Sequence, residues 1–158
     1  MQTIHAPING AHQPIDDDTE GRPSSEALVL LHRARNAAFA EAARGQLGRG
    51  LSLLNDALMQ VPASHDLLSD MAALLLAAGE HELAASYAIR ALAVTPEHGP
   101  SLYTLGFAQV ALGRPNDALS TLQRLQRPGD ARASLMRDAP DLAALVDTEV
   151  ERLQAAAA

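Results

Sequence analysis

The chain has 158 residues and a formal net charge of −7, with 12 basic residues against 19 acidic ones. That length suits a single domain, and the acidic balance excludes the basic footprint that nucleic-acid binding needs. Cysteine is absent, so disulfides, thiolate metal sites and a thiol nucleophile are excluded too.

Hydrophobic residues make up 47% of the chain and aromatic residues only 3%. The apolar share is mostly Ala and Leu, strong helix formers, while the β-branched and aromatic residues that favour strands are few. An all-α protein is expected.

Residues 1–24, MQTIHAPINGAHQPIDDDTEGRPS, hold three of the nine prolines and the acidic run Asp16–Asp18. They show no helical or strand periodicity and read as a disordered polar, acidic tail. They carry no apolar run of signal-peptide length and no basic start. The longest strongly apolar stretch, Met71–Ala78, is too short to span a bilayer. A cytoplasmic protein is expected, with no membrane insertion.

Helix signals begin at Ser24. Ser24 or Ser25 can cap a helix, with Glu26 in its first turn. From there the chain repeats itself. Gly45, Gly79 and Gly113 are spaced by 34 residues, as are Pro62 and Pro96. Gly50, Ala84 and Ala118 keep the same interval, and so do Leu54, Ala88 and Leu122, and Ala57, Ala91 and Leu125. The first glycines fall where a helix must stop and the chain must turn. The small residues let a second helix press closely on the first, and the prolines end it. Each unit is therefore a helix, a turn and an antiparallel helix, and one such pair cannot bury its apolar faces alone, so pairs stack. First helices are expected over about residues 25–44, 65–78 and 99–112, and second helices over about 47–60, 81–94 and 115–126.

These residues resemble the tetratricopeptide repeat (TPR) family. Repeat three carries Leu105-Gly106, Gly113, Ala118 and Leu122; repeat two carries Met71-Ala72, Gly79, Ala84, Ala91 and Pro96; repeat one carries Ala37-Ala38, Gly45, Gly50, Ala57 and Pro62. The aromatic usual near the start of each first helix is replaced by Ala34, Leu68 and Leu102. Gly50 stands where Ala is usual, which weakens that helix by up to about 1 kcal/mol. The resemblance implies a right-handed TPR-type helical solenoid of three helix–turn–helix repeats, over about 31–62, 65–96 and 99–130 within residues 25–130.

After Pro128-Gly129, Asp130 can cap a short helix to about Asp138, and Pro140 opens a last one. Leu142, Leu145, Val146, Val150 and Leu153 make an apolar stripe in it. Residues 131–158 thus read as C-terminal capping helices, the alternative being a helix that docks on a partner.

In the TPR family the first helices line a concave binding face. Carried onto this chain, that face holds the row Phe39, Ala73 and Phe107, and beside it Arg35, Ser69 and Tyr103. A third row is Ala42, Leu76 and Val110, and a more polar one Asn36, Asp70 and Thr104. Three of the four aromatics fall on these rows, and aromatics are common interface anchors; filling space between helices is the competing role. Some relatives grip a C-terminal carboxylate with basic residues here, but repeat two offers Asp70, so no such clamp is expected.

No histidine pair has the i, i+4 spacing of a helical metal site, and His65, His81 and His98 fall near helix starts or in turns. Nucleophile elbows, phosphate loops and dinucleotide fingerprints are absent. No enzymatic activity, metal or cofactor is expected. The expected function is a non-enzymatic interaction module that holds a peptide or amphipathic helix with hydrophobic anchors in an apolar groove. The layout resembles the small TPR chaperones of bacterial type III secretion. A fixed subunit of a larger complex, or a homodimeric scaffold, is the alternative.

Overall fold

The computed structural model describes residues 24–158, so the expected tail lies, Ser24 apart, outside the described residues. Every regular element among them is helical: α1 (Ser25–Ala43), α2 (Leu47–Gln60), α3 (His65–Ala77), α4 (His81–Val94), α5 (Gly99–Ala111), α6 (Pro115–Gln126), α7 (Asp130–Asp138), a 3-10 turn (Pro140–Leu142) and α8 (Ala143–Ala157). The all-α solenoid expected from the 34-residue register is what forms, and the six repeat helices end within one residue of the expected bounds.

The register has a local cause. Gly45, Gly79 and Gly113 have φ of 80°, 80° and 69°, the left-handed conformation that a Cβ disfavours by about 1–2 kcal/mol. Around each, the chain closes the same pair of bonds. The amide of Gly79 donates to Leu76 O and that of Glu80 to Leu75 O, at 3.1 and 2.9 Å; Gly45 with Gln46, and Gly113 with Arg114, repeat the pattern. This closure satisfies the last carbonyls of each first helix and sends the chain back antiparallel. Each second helix then stops before a proline or near one: α2 ends one residue before Val61-Pro62 and α4 one residue before Thr95-Pro96. Val61 and Thr95 are off the helical conformation, at φ −132° and −133°, as a residue preceding proline tends to be. Starts are fixed by side chains at two places. Ser24 Oγ accepts from the amide of Ala27 and Ser64 Oγ from that of Leu67, at 3.2 and 3.3 Å. Ser24, not Ser25, is therefore the first cap.

Each first helix packs on its own second helix, and each second helix on the next first helix. The close approach of α1 and α2 reverses the expectation for Gly50. A Cβ there would lie 2.6 Å from Ala38 O, so this glycine is the contact and not a weakness in it.

Two buried clusters result. One joins α1–α4 around Ala38, Leu54, Leu67, Leu68 and Leu74 and reaches Ala108 of α5. The other joins α5–α8 around Leu102, Leu122, Leu125, Leu135 and Val146. Leu68 and Leu102, which stand in for the family's aromatic, are both buried.

The C-terminal helices continue the stack: α7 packs on α5 and α8 on α6. Asp130 is the first residue of α7 and not its cap, which is Gly129. In α8, Val146, Val150 and Leu153 are buried as expected, but Leu145 is 51% exposed and Ala143 takes its place inside. Regular helix geometry is enough to explain it: at 3.6 residues per turn Ala143, Val146, Val150 and Leu153 share one face of α8, and Leu145 lies about 100° around from Val146 and about 140° from Val150. Arg132 of α7 ties the two together by donating to both oxygens of Asp147, at 3.1 and 3.3 Å.

Candidate functional site

α1, α3, α5 and α7 stand in a row and face a groove of about 1060 Å³. α1 contributes Arg35 and Phe39; α3 contributes His65, Asp66, Ser69, Asp70, Ala73 and Leu76; α5 and the turn before it contribute His98, Pro100, Tyr103 and Thr104. Ala133, Ser134, Arg137 and Asp138 of α7 close the far side. That wall is held tightly. Ser134 Oγ accepts from the amide of Gly99 at 2.9 Å, and a Cβ on Gly99 would meet Leu135 N at 2.3 Å.

Of the residues expected on the concave face, Arg35, Phe39, Ser69, Asp70, Ala73, Leu76, Tyr103 and Thr104 line this groove. Asn36 is exposed and is not among its lining residues. Ala42 is half-buried against the first core cluster. Phe107 and Val110 are half-buried against the second. The rows thus separate by chemistry. Phe39 is 41% exposed, whereas Phe107 lies against Tyr103 with ring centres 4.5 Å apart.

The groove floor carries an ion pair. The Arg35 guanidinium donates to both carboxylate oxygens of Asp70, through Nε and, at 3.2 Å, through Nη2. Its Nη1 stands 3.6 Å from Asp66. Burial works against the Arg35 charge, but the Asp70 bonds outweigh it and its pKa is raised. Asp70 is more enclosed, so burial outweighs Arg35 and pushes its carboxyl above the ordinary value. Burial also lifts the Tyr103 phenol. The internal carboxylates of Asp66 and Asp70 occupy Arg35, the one basic residue of the expected rows; Asn36, the other residue suited to a peptide carboxylate, is not on the groove wall. Arg137 is likewise engaged, donating to both oxygens of Asp138 at 3.0 and 3.2 Å.

Beside the ion pair is a grouping that sequence spacing did not reveal. His65 and His98 meet edge to face with ring centres 5.1 Å apart. His98 is buried, its Nδ1 lies 2.8 Å from Ser101 Oγ, and burial, then the neighbouring His65, lowers its pKa. The signal was a near-match to the repeat: His65 opens α3 and His98 caps α5, 33 residues on instead of 34. The walls from α7 were also missed, because α7 stands outside the 34-residue register.

A row of helix pairs with a concave face built from the first helix of each defines an α-solenoid repeat protein. Tetratricopeptide repeat is the family whose model matches, over residues 75–157, more than half of the chain, and the chain belongs to that family. No curated protein matches it. Among solved structures it is similar to the TPR domain of Sgt2 from Aspergillus fumigatus, with 25% identity and a TM-score of 0.66 over 84% of this chain and 79% of that one. It is also similar to the Yersinia enterocolitica type III secretion chaperone SycD in complex with a peptide of the translocator YopD, with 14% identity and a TM-score of 0.67 over 81% and 95% of the two chains. The TPR2B domain of yeast Sti1, in complex with pHsp70, matches with 16% identity and a TM-score of 0.66 over 80% and 97%.

Proposed function

We propose that this chain is a protein-interaction module whose groove holds a peptide or amphipathic helix of another protein. The observation that carries this is Phe39, a large apolar side chain left 41% exposed on the groove wall in a chain with only four Phe and Tyr residues. Ala73, Leu76 and Tyr103 complete an apolar strip across α1, α3 and α5, which suits hydrophobic anchors on the bound segment. The peptide complexes among its structural neighbours support the same use of the fold.

The charges around the strip narrow the ligand. Among the described residues, Asp66, Asp70, Glu97, Asp130 and Asp138 line the groove against Arg35 and Arg137, and both arginines are paired internally. An acidic C-terminal peptide meets like charge here. A neutral or basic segment with apolar anchors fits better. A chaperone that shields a secretion substrate is the finer reading; it rests on the layout of the repeats and the likeness to SycD.

The test is affinity capture from host extract with the wild type, Phe39→Ala and Ala73→Arg. Phe39 is exposed enough for its loss to leave the melting temperature within a few degrees, and Ala73→Arg fills the groove. Both variants are expected to lose the partners that the wild type retains. Retention of the same partners by both folded variants would show that the groove is not the binding face.

A second reading, a homodimeric scaffold, has its own observation. Leu28, Val29 and Leu30 are three successive exposed apolar residues at the start of α1. Light scattering separates the two, since a stable dimer unaffected by Ala73→Arg favours the scaffold.

A further inference from the structure

The groove's edge holds a set of metal-ligating side chains from two repeats. One ligand atom each from His65, Asp66 and His98 lies within 4.8 Å of the others. We propose that these three residues bind a divalent transition-metal ion, of the zinc, cobalt or nickel class, at the junction of α3 and α5.

The chemistry of the donors selects that class. Two imidazoles and one carboxylate suit borderline ions, whereas calcium and magnesium take all-oxygen sets. Distances fit with little movement. Around zinc, with bonds of about 2.0–2.2 Å in a tetrahedron, ligand atoms stand roughly 3.3–3.5 Å apart. His65 Nε2 and Asp66 Oδ1 are already 3.6 Å apart. The remaining closure, on the order of 1 Å by that geometry, falls to His65 and Asp66, whose side chains are 37% and 46% exposed.

The supporting contacts are in place as well. His98 is buried, and its Nδ1 faces Ser101 Oγ at 2.8 Å. When Nδ1 donates to that hydroxyl, Nε2 keeps its lone pair for the metal, the arrangement by which a second group fixes a ligating imidazole. Asp66 gives up a contact of 3.6 Å with Arg35 when it turns to the ion. Arg35 keeps its two bonds to Asp70, so the floor of the groove does not depend on Asp66. Three protein ligands leave a fourth position open for water or another ligand. The site needs no bound peptide, so it stands or falls apart from the reading above.

The experiment is calorimetric titration of the chelator-treated full chain with zinc, followed by cobalt, whose visible absorption reports four-coordinate binding and nitrogen ligation. The wild type is expected to take up one ion per chain. His65→Gln and Asp66→Asn, both at half-exposed positions, are expected to weaken uptake by roughly tenfold or more, with circular dichroism unchanged. His98→Asn places a helix-capping side chain at the N-cap of α5 and is expected to do the same. His32→Gln, His81→Gln and the pair His5→Asn with His12→Asn are expected to leave uptake unchanged. No saturable uptake by the wild type, or uptake indifferent to His65→Gln and Asp66→Asn, overturns the proposal. Equal weakening in any of the other histidine variants overturns it as well.

Discussion

Asp70 stands where opposing forces meet on one carboxyl. Burial favours its neutral form and Arg35 its charged form, with burial the stronger, so its pKa lies above the ordinary 3.8. The folded chain therefore binds this proton more tightly than the unfolded chain does. As pH falls from neutral toward 3.8, the fold takes up the proton first and gains stability from this group; above its raised pKa that contribution is absent. Asn cannot titrate and keeps one acceptor for Arg35. Asp70→Asn is thus expected to change stability by no more than about 1 kcal/mol near neutral pH, and the wild type to gain on it under acid. Urea midpoints measured near pH 7 and near pH 4.5 check this through the proton linkage. A wild type that loses ground to the variant on acidification would mean that Arg35 holds the carboxyl down. The two residues were legible in the sequence as concave-face positions, one basic and one acidic. Their bond was not, because it joins neighbouring rows on different helices across 35 residues.

Between elements, the meeting of α1 and α2 is set by what is missing. By helix propensity alone, Gly50→Ala gains up to about 1 kcal/mol. The methyl would lie 2.6 Å from Ala38 O, a backbone atom that cannot turn aside, with Leu74 Cδ1 at 3.1 Å. Steric strain wins, and the substitution is expected to cost about 1–3 kcal/mol, read as a lower denaturant midpoint at unchanged slope. A neutral or stabilising outcome would mean that α1 and α2 can separate freely. Such distances explain which parts of the pattern could be read in advance. The turns at Gly45, Gly79 and Gly113 are local, so a 34-residue interval announces them. The reason for Gly50 is tertiary, and propensity points the wrong way. Leu145 fails on helical geometry alone, about 100° or more around α8 from the face that Val146 and Val150 share. His65 and His98 hid behind an offset of a single residue. Phe39 and Phe107 occupy matching places in the repeat but not matching surroundings, since α5 lies between the first helices α3 and α7, whereas α1 has a first helix, α3, on one side.

Across the whole molecule, the groove is walled by four helices, of which three follow the repeat and α7 does not. The groove's residues from α1, α3 and α5 were accessible to a reading by equivalence between repeats. The α7 wall, with Arg137 and Asp138, was not, because nothing in the register marks a fourth first helix of only nine residues. The buried interior also has an asymmetry along the stack. Leu105 and Ala108 of α5, with Leu112 just past its end, belong to the cluster of the first half, while Leu102, Tyr103, Phe107 and Val110 belong to that of the second. α5 is thus a party wall. Repeat arrays open from their ends, each unit leaning only on its neighbours, and opening either half of this chain leaves α5 still sheltered by the other. Its amides are expected to be the slowest in the chain to exchange with deuterated water, slower than those of α3, and a profile that peaks in α3 instead would mean that the first cluster alone sets the last structure to be lost. In the proposed binding role, a groove whose central wall loosens last would spread at either rim to admit a segment and still keep Tyr103 in place to receive it.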